Sequence, residues 1–168
     1  PPSSEEVLRL FLFVLLGTLY GAFWLGLAML FSVFLKRVAT SALATIAVWI
    51  FFIFYSLMIT SFIADAIVPI DQASGLSEVV RHETVQITAA RASPIYIFNE
   101  ATAILLVPGM RTASEVLQVQ LAGGSLLPLP LGQSLLIMWP NVIGMIAIPV
   151  VLFAISYYIF MREEIRAT

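Results

Sequence analysis

The run "LFLFVLLGTLYGAFWLGLAMLFSVFL", Leu10–Leu35, carries no charged side chain and decides the fold class. It is longer than the ~20 apolar residues that cross a ~30 Å hydrocarbon core as a helix, which leaves room for tilt. Arg9 precedes it and Lys36-Arg37 follow it. A second uncharged run, Val38–Ala64, reads "VATSALATIAVWIFFIFYSLMITSFIA" and ends at Asp65. A third begins after Glu115 and is divided by "GGSLLPLPLGQ", so its span is expected from about Trp139-Pro140 to Met161. There Pro140 suits a first helical position, and Pro149 is expected to kink the span.

Composition agrees. The 168 residues are 61% hydrophobic and 11% charged, against roughly 25% charged in soluble domains. The mean hydropathy is +1.03. The fold class is therefore all-α: a polytopic membrane protein with three transmembrane helices and short external interfacial helices. Three units follow: a two-helix hairpin over 1–66, an external region over 67–134, and a final span with its tail over 135–168.

Orientation comes from the short connections. Lys36 and Arg37 join the first two spans, and Arg162 and Arg166 follow the third. An excess of basic residues marks the cytoplasmic side, so both places, and the C-terminus, are expected inside. The region from about Ile67 to Leu135 is then outside. Trp139 and Tyr157/Tyr158 fit aromatic belts at the two ends of the last span, while Trp24 and Trp49 lie mid-span and read as buried packing residues.

Within the outer region, "DQASGLSEVVRHETVQITAA" reads as a water-facing helix from about Ser77, with Leu76, Val79, Val80 and Ile87 on one face. Next comes "SPIYIFNEATAILLVPGMR", Ser93–Arg111. Ser93 as N-cap and Pro94 at the first position start a helix, and Val107-Pro108-Gly109 stops it. About fourteen residues make on the order of 20 Å of helix, too short to span. Tyr96, Asn99, Glu100 and Ala103 form a polar strip, opposed by Ile95, Phe98, Thr102 and Leu105. Such a helix lies at the interface or dips in as a re-entrant turn. "TASEVLQVQL", with Thr112 and Glu115 in capping-box spacing, reads as a further short helix.

Candidate chemistry is sparse. No catalytic, cofactor-binding or metal-ligating set emerges: there is no cysteine, no H-E-x-x-H, no G-x-S-x-G and no phosphate-binding glycine loop. His82, the single histidine, reads as an ordinary surface residue. Asp65 is placed at the outer interface, where an acid is cheap. Glu100 reads either as a partner of the helix dipole or as a lining group of an outer gate, together with Pro94, Tyr96 and Asn99. Arg91 and Arg111 read as headgroup-binding or snorkelling cations. Gly17 and Gly21 in "GTLYG" stand at the G-x-x-x-G spacing for close helix packing, within the subunit or in a dimer. A net charge of -2 without a basic cluster excludes nucleic acid as a partner.

"LLGTLYGAFWLGLAMLFSVFLKR", the short basic turn, and "ATSALATIAVWIFFIFY" in the next span resemble the later half of ABC-2 type transporter permeases, the group associated with multi-copper enzyme maturation above all. In that family "ASPIYIFNEATAILLVPGMR" has its counterpart between the fifth and sixth of six spans, and a short charged tail like "MREEIRAT" follows the last. The resemblance implies that these are the last three spans, which accords with the chain opening on Pro1-Pro2 without an initiator Met. It implies a permease in the cell membrane that works as a dimer, embedded in lipid, with a separate cytoplasmic ABC ATPase binding ATP and Mg. Export is the expected direction. It also implies that the Ser93–Val107 helix lies over the translocation route. The competing reading is a non-catalytic subunit that anchors a larger membrane complex.

Overall fold

The computed structural model describes residues 3–71, 74–107 and 130–167, with side chains to Arg162. Every regular element among them is a helix: α1 Ser4–Leu35, α2 Val38–Ile67, α3 Leu76–Ala90, α4 Pro94–Leu106 and α5 Leu131–Ala167. Three of these, α1, α2 and Leu131–Arg162 of α5, are long and apolar enough to cross a membrane. The expected short helix at Thr112 and residue Arg111 lie outside the described residues.

α1 starts earlier than its uncharged run. Glu6 N–H donates to the Ser3 hydroxyl and Ser3 N–H donates to the Glu6 carboxylate, a capping box that satisfies two orphan donors. α1 stops at Lys36, whose φ of 51° is left-handed, and α2 begins two residues later. The reversal is tied by the Ser41 hydroxyl, which donates to the Ala28 carbonyl at 3.0 Å.

α5 begins at Leu131, before the expected Trp139-Pro140, so Pro140 is inside the helix and not at its first position. The cause sits on another helix. Leu131 N–H donates to Glu5 of α1 at 3.0 Å, so α1 caps α5 at a point that α5's own sequence does not announce. α5 continues through Pro140 and Pro149.

α1 and α5 run side by side in the same direction. Glu5 meets Leu131, Arg9 meets Ser134, and Gly26 meets Leu152, the same advance along each helix. Gly26 is the tight point, because a Cβ there would stand 3.3 Å from Leu152 Cβ. By contrast, a Cβ at Gly17 or Gly21 would meet nothing within 4 Å.

α4 runs antiparallel to both. Its last turn lies beside Arg9 and Ser134, Phe98 stacks on Tyr20 with centroids 4.5 Å apart, and Pro94 shares a crevice with Phe23 and Pro149. From Arg9 to Phe23 is about 20 Å of helix, and the residues between are those of the uncharged run. The first turn of α4 is therefore set deep beside the middle of α1, and α4 takes the re-entrant form. α3 supplies the descending arm: Ser77 and Arg81 flank Ile67–Pro69, and further on His82 reaches Asp65.

The core belongs to α1, α4 and α5. Leu16, Ile97, Ala101, Ile104, Leu105, Met138 and Met145 form its buried cluster. α2 buries only Ser41, Thr60 and Ala64 and packs chiefly on α1 and α3. Its large side chains face outward, Phe54 71% and Phe62 63% exposed, which suits lipid. Trp49, 43% exposed, belongs to that outward set and not to a packed interior; Trp24 is half-buried against Tyr20 and Phe23.

Gly26→Leu should overpack the α1–α5 contact and cost about 1–3 kcal/mol, read as a lower thermal midpoint in detergent. Gly21→Leu, facing open space, should leave that midpoint within error.

Candidate functional site

A short helix that ends inside a membrane has orphan backbone groups that no water reaches. The α3–α4 hairpin answers this locally at its turn. Arg91, Ala92 and Ser93 N–H donate to the carbonyls of Ile87, Ala89 and Ala90, closing the end of α3. Ile97 N–H then opens α4 by donating to Ser93 O at 3.1 Å. Pro94 at the first position has no N–H to satisfy. Ser93 stands at the N-cap as expected, but its buried hydroxyl makes no hydrogen bond.

Three polar ties hold the hairpin. The first is Arg9, only 5% exposed. Its Nη1 donates to Leu105 O at 2.6 Å, where α4 exposes its last carbonyls, and reaches Ser134 Oγ at 3.5 Å. A cation here also complements the negative end of the helix dipole. Its Nη2 and Nε donate to Glu5 Oε1 at 2.8 and 3.3 Å. Through Glu5 and Leu131 N–H, one cluster joins the ends of α1, α4 and α5.

The second tie is Glu100, its side chain 7% exposed. Arg91 donates to it from Nε at 3.2 Å and Nη2 at 3.1 Å, a two-pronged pairing, and Asn141 Nδ2 of α5 donates at 2.9 Å. The third joins α3 to α2: His82 Nε2 and Asp65 Oδ1 lie 2.9 Å apart, the carboxylate largely exposed and His82 Nδ1 buried without a partner.

These positions revise the reading of the polar strip. Asn99 is exposed and Tyr96 is half-buried, but Glu100 turns inward and is fully engaged. The packed face of α4 is Pro94, Ile97, Ala101, Ile104 and Leu105, so of the residues expected opposite the strip only Leu105 is buried. His82 is buried and bonded, not a surface histidine. Arg91 binds a carboxylate of its own chain. Arg9, Glu5, Ser134 and Asn141 were missed as site residues. The lone amide of Asn141 in an apolar span was the available signal. No group of three metal-ligating side chains occurs among the described residues.

The hairpin thus descends along α2 and rises between α1 and α5. The model of the ABC-2 family transporter proteins matches residues 1–165. The chain belongs to the ABC-2 family. It is a membrane permease of ABC transport, a transport component. The match is to the family as a whole and carries no subgroup. No curated protein matches the chain, and no solved structure does.

In this ABC-2 permease, Arg9→Met should cost about 2 kcal/mol by stranding the Leu105 carbonyl, seen as a lower midpoint in detergent. Arg9→Lys should recover only part, because lysine lacks the planar fork. A double-mutant cycle of Glu100→Gln and Asn141→Leu should show a coupling of about 1 kcal/mol; additive losses would mean the two side chains act separately.

Proposed function

We propose that this chain is the membrane-spanning subunit of an ATP-driven ABC exporter, and that the α3–α4 hairpin is its outer gate. One observation carries the gate. α3 is fastened to α2, whereas α4 is built into the core of α1 and α5. Any shift of α2 against the α1–α5 pair therefore acts on the turn Arg91–Ser93 between them. Alternating exposure requires such a movable element between helix groups, and no covalent chemistry.

Lys36 and Arg37 at one end of the spans, with Arg162 near the end of α5, support a cytoplasmic C-terminus by the basic-residue rule. The hairpin is then extracellular-side. Membership of the ABC-2 family supports a partner ATPase on a separate cytoplasmic subunit, with ATP and Mg bound there. A second permease subunit completes the path in this reading. Gly17 and Gly21, open on α1, offer one place for a neighbouring helix to approach.

The anchoring-subunit reading has one observation in its favour: Glu100, the carboxylate on the packed side of α4, is taken up by Arg91 and Asn141 of the same chain. Mild detergent purification of the native complex, with mass spectrometry of all stoichiometric subunits, separates the two. The exporter requires a nucleotide-binding subunit at parity with this chain; redox or other membrane subunits in its place would sink it. If the ATPase is present, replacing Tyr96, Asn99 and Glu100 together should lower ATP-coupled transport. Unchanged coupling would remove the gate while leaving the permease.

A further inference from the structure

Below the Gly26–Leu152 contact, α1 and α5 diverge. The space between them, about 690 Å³, is walled by Met29, Ser32 and Val33 on α1 and by Phe153, Tyr157 and Phe160 on α5, with Lys36 at one end. That volume is within the range of small-molecule sites, roughly 300–1,000 Å³. The groove runs about 10 Å along α1 from Met29 to Lys36 at 1.5 Å per residue.

Its two ends differ chemically. Towards the Gly26–Leu152 contact the wall is apolar, Met29 facing Phe153. The Ser156 hydroxyl in that wall donates to its own Leu152 carbonyl at 2.7 Å, so it asks nothing of an occupant. The open end coincides with the end of the uncharged run at Lys36, the level where hydrocarbon gives way to headgroups. Arg162, which stacks over the Tyr158 ring at 5.3 Å, follows the same end of α5. An ammonium keeps three donors, so Lys36 can meet a phosphate alongside its contacts within the chain.

We infer that this groove is a binding site for one anionic phospholipid of the leaflet at the Lys36 end, an acyl chain lying between Met29, Val33, Phe153 and Phe160 and the phosphate on Lys36. A zwitterionic lipid satisfies the wall but offers Lys36 no net charge. A free anion satisfies Lys36 and leaves the wall empty. The site is independent of the gate and of whether the chain exports anything.

Native mass spectrometry of the purified full chain in detergent tests this, titrating phosphatidylglycerol and phosphatidylcholine of identical acyl chains, and inorganic phosphate alone. One phosphatidylglycerol should be retained with about fivefold preference, the factor that about 1 kcal/mol per basic residue gives. Lys36→Gln should reduce that preference to parity, and Lys36→Arg should keep it. Val33→Trp, filling the groove, should lose both lipids, with helix content by circular dichroism confirming that it folds. Equal binding of the two lipids by the unaltered chain overturns the inference. So does a preference that survives Lys36→Gln, lipid retention that survives Val33→Trp, or displacement of the lipid by phosphate. Cross-linking of a Met29→Cys variant to another protein subunit in the native complex would show the groove filled by a helix, and would also overturn it.

Discussion

The constraint on which the structure depends is that a helix ending in hydrocarbon must hand its terminal backbone groups to partners other than water. α1, α2 and α5 largely avoid the problem by crossing. α4 cannot, and its surroundings are organised around that fact. Its first turn has a proline without an N–H and follows a turn whose own N–H groups close α3. Near its other end the Leu105 carbonyl accepts a hydrogen bond from Arg9, and the remaining arms of that guanidinium draw in Glu5, which caps α5. The placement of three helices thus follows from ending one of them.

This also shows why some features were legible in the sequence and others were not. Spans are visible because an uncharged run longer than the bilayer core has few alternatives. The bounds of α4 are visible because Ser93-Pro94 and the Val107-Pro108-Gly109 stop are local signals. The facing of α4 is different. Placing polar residues outward presumes water outside, but beside lipid a carboxylate such as Glu100 is cheaper facing protein donors. Its partners are also distant in the chain: Asn141 lies 41 positions away, and Leu105 lies 96 positions from Arg9. No periodicity encodes such pairs. The start of α5 escaped for the same reason, since its cap lies on α1. Tight glycine packing escaped too: the motif-spaced Gly17 and Gly21 are open, and the lone Gly26 makes the contact.

Burial is uneven in a way that bears on movement. The large buried side chains fasten α4 to α1 and α5, while α2 contributes a serine, a threonine and an alanine to the interior. Dispersion scales with the atoms in contact, so the face of α2 is the weaker seam. Two residues, Lys36 and Arg37, pin one end of that seam, and the Ser41–Ala28 hydrogen bond lies close to the pin. At the opposite end α3 holds to α2 through the exposed Asp65 carboxylate.

A pair of helices hinged at one end separates most at the other. In the proposed gate, then, the displacement of α2 is greatest where α3 is attached, and α3 transmits it down its length to the turn before Pro94. α4 resists, because Arg9 and Asn141 hold it to the core. The Arg91–Glu100 pair bridges that turn, joining the end of the moving arm to the fixed one. Glu100 is buried while Arg91 stays partly exposed, and such a pair strengthens as its neighbours close and weakens as water enters. It would therefore favour the closed arrangement without locking it, which is what a gate that reopens every cycle requires.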